Sequence, residues 1–291
     1  MTHGGEHASA ATIALPRPRS LGGRIALVAL AVYMVYAATQ MDLSLARAQE
    51  GLGHAARFFA RLFPPNFERH ELLVKGLLES LQIAVLASLL GIVTAVPIGL
   101  LAARNLMPAW VSWPARLVIV VTRSFHPVIV AILFVKAVGF GALAGIGALT
   151  IASIGFIGKL LTEAVEEISP QQVEAIRSTG APFGSVLAYG VVPQVFSRFI
   201  GFATYQLDSN LRNSTMVGIV GAGGIGGTLF AAFQRFDYDF VCAILIAIIA
   251  VIMTGELIAG WVRAIVLEGA TLRDLLLRRV HGGHVGPLEE D

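Results

Sequence analysis

The chain has 291 residues, 56% of them hydrophobic and only 14% charged, whereas an average soluble domain carries about a quarter charged residues. That deficit points to the membrane, and a formal net charge of +2 argues for no nucleic-acid partner. The one cysteine, Cys242, excludes an intramolecular disulfide framework and metal clusters built on CxxC pairs; no metal site is expected.

Residues 1–23, rich in His, Ala and Pro, are expected to form a disordered tail. The first apolar block, Ile25–Thr39, lies in a second region, 24–70. Tyr33 and Tyr36 interrupt it and no convincing small-residue cleavage site accompanies it, so it reads as a span, not a signal sequence. Within Ala55–Phe63, helical spacing puts Phe58, Phe59, Leu62 and Phe63 on one stripe and arginines on the other face, and Pro64-Pro65 stops the helix. That pattern predicts an outer helix lying in the membrane interface.

Residues 71–267 form the core, with five further apolar blocks: Leu77–Ala103, Leu117–Val138, Ala142–Leu161, Val191–Leu207 and Phe240–Val262. The last has Glu256 as its only charge. About 20 apolar residues cross the hydrocarbon as a helix. The expected fold is an all-α integral membrane protein with six transmembrane helices. Residues 268–291 form a second tail. Arg17, Arg19 and Arg24, then Arg104 and Arg116, Arg177, and finally Arg263, Arg273, Arg278 and Arg279 fall on one side if six spans alternate, so both termini are expected in the cytoplasm. Arg47, Arg57, Arg61 and Arg69 run against this rule.

Between the fourth and fifth blocks lies a polar helix. Ser169 suits the N-cap, Gln172 completes a capping box and Pro170 suits the first helical position. Glu174 and Arg177 complement the helix dipole and pair at i, i+3. Gly180 supplies a left-handed stop and Pro182 prevents continuation. A helix this short does not hold itself together in water, so it must dock on something.

Glu174-Ala175-Ile176, Gly180 and Val192-Pro193 together resemble the cytoplasmic signature of bacterial ABC importer permeases. Ile176 stands where Ala is usual, and Gly190 and Val192 where larger aliphatics are common. The resemblance implies a type I importer permease fold whose coupling element, residues 169–193, fits a groove on a separate ATPase subunit. It carries over Glu174, Ala175, Ile176, Arg177 and Gly180 as coupling residues and Pro193 as the end of the element. Leu211–Gly226, Glu79–Ala84, Phe63–Phe67 and Val138–Gly145 look like the corresponding pieces of phosphonate importer permeases. The implied protein is a homodimeric transport subunit of the bacterial inner membrane, not an enzyme. It would work with two cytoplasmic ATPase subunits that bind ATP and Mg, an extracytoplasmic substrate-binding protein and an anionic small-molecule substrate. Permeases of the same architecture for phosphite, phosphate or a methionine-like solute are the alternative; an integral-membrane enzyme is a more remote one.

Gly221-Ala222-Gly223-Gly224-Ile225-Gly226 is a literal GxGxxG after a strand-like Met216–Val220, with Asp239 downstream. A dinucleotide site needs a βαβ unit, and this segment lies between two apolar blocks, so Gly221, Gly223, Gly224 and Gly226 are read as close-packing glycines. Ser153–Leu160 lacks the first glycine and the Ser/Thr of a P-loop, so no cofactor is expected on this chain.

Charges within apolar blocks are costly and therefore face the interior or a pathway. Arg123 and His126, three apart and taken to share a helix face, are expected to line the translocation path, a pairing with Glu79 or Asp208 being the alternative. Glu79, Asp208, Arg212, Asn213, Ser214 and Thr215 complete the expected path. Lys136 and Lys159 are expected to snorkel and Glu256 to pair with Arg263 or another helix. Gly141, Gly145, Gly147, Gly155 and Gly158 mark a face for bundle packing or a dimer seam.

Overall fold

A computed structural model describes residues 21–40 and 45–268, and among them only helices and their connections occur. The expectation of disordered tails falls almost wholly outside these residues. The chain divides into two units, residues 1–60 and 61–291. The first holds α1 (Leu21–Gln40), which has no buried residue, and most of α2 (Leu45–Leu62). Helix α2 ends just before Phe63, with Pro64 following.

The second unit contains α3 (His70–Ala102), α4 (Ala109–Ser124), α5 (Pro127–Val138) and α6 (Ala142–Glu166), then the short α7 (Pro170–Ser178). Three residues of α8 (Phe183–Ser185) lead through a π-helical turn, Val186–Val191, into α9 (Val192–Ile219); α10 (Ile225–Gln234) and α11 (Tyr238–Glu268) follow. By length and apolarity α1, α3, α6, the run Phe183–Ile219 and Tyr238–Ile265 can each cross a membrane. Helices α4 and α5 reach that length only when taken together, and they are bent by 91°, the geometry of a broken span or a re-entrant loop, so the crossings number five, or six with this pair.

That bend corrects the expectation of one continuous span over Leu117–Val138. Pro127 occupies the first turn of α5, and a residue before proline is pushed out of the helical region. Phe125 and His126 are accordingly extended, with ψ of 135° and 140°. Arg123 and His126 therefore do not share a helix face.

Helix α6 is the hub, packed on α3, α4, α5 and α9. Its glycines make the close approaches. A Cβ on Gly155 would meet Arg123 Cγ of α4 at 2.7 Å, and one on Gly147 would meet Phe134 of α5 at 2.5 Å. On the facing α3, a Cβ on Gly99 would lie 3.2 Å from Gly158 O. These glycines serve packing within the chain. Two apolar clusters result, one around Ile83, Ala148, Leu149 and Val217, the other around Leu161, Val165, Val173 and Val191 at the end that carries α7.

Candidate functional site

Helix α7 is nine residues long and buries one side chain, Val173; Ile176 beside it is half-buried. Both rest on Gly190 of the π turn, where a Cβ would come within 3.3 Å of Ile176 Cδ1. Burying a valine contributes about 1.5–3 kcal/mol, enough to seat a helix too short to persist alone. Glu174, Ala175, Arg177 and Gly180 are all exposed on the other side, and Gly180 has φ +76°, the left-handed stop.

Three local expectations are corrected here. Ser169 stands at the N-cap, but its side chain makes no cap hydrogen bond, so the Ser169–Gln172 capping box does not form. Instead the Ser169 N–H donates to Gln194 Oε1 at 3.1 Å. Glu174 and Arg177 make no ion pair with each other; both point outward. Pro193 does not close the coupling element either: it lies exposed in the first turn of α9, two residues beyond the π turn. Lacking an N–H, it cannot complete the helical ladder of the turn before it, and the chain relaxes there into the wider π register.

The base of this helix is clasped from several directions. Gln194 Nε2 donates to Gly190 O at 2.6 Å. Arg198 of α9 pairs with Glu167 at 2.8 Å, and Arg116 of α4 pairs with Glu166 at 2.5 Å. Glu166 also accepts from the Arg104 N–H, and Asn105 donates to Val165 O, which fixes the α3–α4 connection to the end of α6. The sequence reading missed Gln194, Arg198, Glu166 and Glu167; an amide just after a proline and two adjacent acids closing a long helix were the available signals.

The expected path residues do not converge. Arg123 and His126 are exposed at the α4–α5 break, and the His126 side chain accepts from the Val128 N–H at 3.3 Å. No ion pair joins either to Glu79 or Asp208. Asp208 instead pairs with Arg212 at 2.7 Å along α9. Glu79 lies by the glycine loop, where a Cβ on Gly223 would be 2.8 Å from Glu79 Oε1. Ser214 is wholly buried and donates to Leu211 O, so its hydroxyl is spent inside the core. Asn213 donates to Ser209, and the Thr215 carbonyl lies against Gly226. Lys159 pairs with Glu163 instead of snorkelling free, and Glu256 makes no ion pair with Arg263.

Inside the bundle an uncharged network went unread. Asn210 Nδ2 donates to Ser88 Oγ at 2.9 Å and to Ser153 Oγ at 2.8 Å, and Gln206 Nε2 donates to Ser153 and to Asn210 Oδ1. It ties α3, α6 and α9 together with every member buried. Two amides four residues apart in an apolar stretch were the signal for it.

The glycine run is a tight turn, not a nucleotide loop. Helix α9 continues to Ile219, so the strand-like Met216–Val220 is largely helical. Gly221, Gly223 and Gly224 have φ of +90°, +84° and +79°. The Ile225 N–H at the start of α10 donates to Ser80 Oγ, and Gly224 is pressed against the same hydroxyl. Gly221 O accepts the Gly141 N–H, and Gly226 abuts α9 at Thr215. Asp239 accepts from Asn66 Nδ2 and the Phe240 N–H, which occupies the carboxylate a ribose would need.

Residues 95–269 match the family described as binding-protein-dependent transport system inner membrane component. The chain is similar to the phosphate-import permease protein PhnE of Mycolicibacterium smegmatis, 41% identical over 71% of this chain but only 39% of that protein's length. It is also similar to the phosphite transport system permease protein PtxC of Stutzerimonas stutzeri, 36% identical over 73% of this chain and 78% of that one. Among solved structures, inward-facing conformations of the MetNI methionine ABC transporter superpose with a TM-score of 0.59 at 22% identity, covering 68% of this chain and 97% of that one. The fold is thus the all-α importer-permease fold.

Proposed function

The chain belongs to the binding-protein-dependent transport system inner membrane components, and from that premise we propose that it is the permease subunit of an ATP-driven importer for a phosphorus oxyanion. The observation that carries the reading is α7: a docked helix with its polar face outward, on a chain with no P-loop, is a peg for an outside motor. Glu174, Ala175 and Arg177 present that face, and Gly180 ends it. Phosphonate, phosphite and phosphate are the candidate cargoes, because relatives named for phosphite and phosphate transport align over more than two thirds of this chain. ATP and Mg are bound by the partner ATPases, and a substrate-binding protein delivers cargo on the opposite side of the membrane.

Two copies form the pathway. The last carbonyls of α4 end at a sharp break within the apolar stretch, alongside exposed Arg123, Ser124 and His126, while the Val128, Ile129 and Val130 N–H groups of α5 donate back to His126. Bare backbone of this kind is not stable against lipid, so a second copy or the water-filled path covers it. The α7 end faces the cytoplasm, with Arg104, Arg116 and Arg177 near it. The test is uptake of radiolabelled phosphate, phosphite and methylphosphonate by cells carrying the chain with its neighbouring ATPase and binding protein. ATP-dependent uptake of at least one supports the reading; uptake of none, with another solute transported, overturns the cargo class.

A further inference from the structure

Helices α4 and α6 flank an open cavity of about 450 Å³ at the end of the bundle that carries α7. Arg116, Arg123 and Ser124 line it from α4, Lys159 and Thr162 from α6. Arg116 and Arg123 are seven residues apart, two helical turns or about 10.5 Å, so the basic wall runs inward from the edge of the bundle. Lys159 and Thr162, three apart, present one face of α6 to it. No carboxylate lines the cavity: Glu166 and Glu163, the partners of Arg116 and Lys159, are not among its walls.

The donor inventory defines the guest. Both hydroxyls spend their protons on helix carbonyls, Thr162 on Gly99 and Gly158 and Ser124 on Val120. Arg116 uses its Nε on Ala102 O and one Nη on Glu166. Arg123 has no carboxylate partner among the described residues, so its whole guanidinium fork is available. A planar fork with a second guanidinium and an ammonium close by matches a tetrahedral oxyanion, which accepts in pairs from arginine and as a point charge from lysine. A cation would meet the unpaired Arg123 fork beside two further cations, and a neutral apolar guest would leave the Arg123 charge without a partner, whereas Arg116 and Lys159 already have Glu166 and Glu163.

We propose that this cavity binds a phosphorus oxyanion, either free phosphate or phosphonate, or the phosphate of an anionic lipid headgroup. It reaches the α4–α5 break through Arg123 and Ser124, but its walls include neither His126 nor the Asp208–Arg212 pair. In its free-oxyanion form the inference rests on the transport reading above; in its lipid form it does not.

The test uses the full-length chain in nanodiscs. One arm measures equilibrium binding of radiolabelled inorganic phosphate, with methylphosphonate as competitor, in phosphatidylcholine alone. The other measures retention of phosphatidylglycerol over phosphatidylcholine by native mass spectrometry. The variants are Arg123→Gln, Lys159→Gln and Arg123→Lys, with Lys136→Gln removing one charge elsewhere. A free-oxyanion site gives saturable phosphate binding that Arg123→Gln and Lys159→Gln weaken at least tenfold and Lys136→Gln leaves unchanged. A headgroup site gives no phosphate binding, but a preference for phosphatidylglycerol that the same two variants abolish. Arg123→Lys keeps the charge but not the fork and is expected to weaken either form of binding at least threefold, which keeps the test open if Arg123→Gln does not fold. If the variants match the wild-type chain in both arms, the proposal is overturned, even where cells still take up phosphate. If cells take up none while phosphatidylglycerol retention still depends on Arg123, the transport reading fails and the cavity stands.

Discussion

Gln194 and Ser169 are joined across the base of the bundle: the Gln194 side-chain carbonyl accepts the Ser169 N–H at 3.1 Å, while its amide donates to Gly190 O. One side chain thus ties the first residue before α7 to the π turn that supports α7 from beneath. Any load on α7 reaches α9 through this amide, through the Val173 and Ile176 contacts, and through the Arg198–Glu167 pair. The π turn is itself a place where a long helix yields, because its register is already loosened.

Gln194→Leu removes both hydrogen bonds at nearly constant volume and strands an N–H at the start of α7. The cost expected is about 1–3 kcal/mol locally, with uptake falling several-fold at unchanged membrane levels. Gln194→Glu keeps the acceptor for Ser169 and loses only the donor, so it should fall between the two. Uptake rate against immunoblotted membrane protein checks the ordering.

Gly226→Val should fail before it transports. A Cβ at Gly226 runs into the Thr215 carbonyl, and neither α9 nor α10 has room to move. Overpacking of this kind costs about 1–3 kcal/mol or more. Gly224→Ala adds strain at φ +79° and collides with Ser80 Oγ. Thermal melting followed by size-exclusion fluorescence should show Gly226→Val aggregating and Gly224→Ala melting several degrees lower.

How much of this could be read beforehand depends on how far each cause lies along the chain. The apolar blocks, the proline that ends a helix and the glycine that stops one act within a few residues, so five of the six expected spans, α7 and the Gly180 stop are legible, while Leu117–Val138 is not one continuous span. The capping box was not, because Ser169 found Gln194, 25 residues away, and a sequence pattern sees only the near partner. Helical spacing puts Arg123 and His126 on one face, but α4 ends at Ser124 and Phe125 and His126 are extended ahead of Pro127, so the helix stops between them. The Asn210 network stayed hidden for another reason: neutral amides and serines scarcely disturb an apolar profile.

Asn210→Leu tests that network. It takes the donor from the Ser88 hydroxyl, removes one of the two amides that donate to Ser153 and leaves Gln206 with one partner fewer. Hydrogen bonds between membrane helices average about 0.6 kcal/mol, so two lost bonds imply a loss of about 1 kcal/mol and a modest fall in melting temperature. Ser153→Ala should cost at least as much, since both amides donate to its hydroxyl. A melting temperature equal to wild type for both would show that the network does not hold the three helices together.

The central claim is that the outward face of α7 couples this chain to a motor. The most direct measurement is ATP-dependent uptake, together with co-purification of the ATPase subunits, for Glu174→Arg and Gly180→Trp at matched membrane levels. Neither side chain is needed for the chain's own packing: Glu174 is exposed, and a Cβ at Gly180 would meet nothing within 4 Å. Glu174→Arg should therefore insert and fold, lose uptake and release the ATPase; Gly180→Trp is sterically clear but strained at φ +76°, so it should do the same with a lowered melting temperature. Wild-type uptake and an intact complex in both would contradict the account.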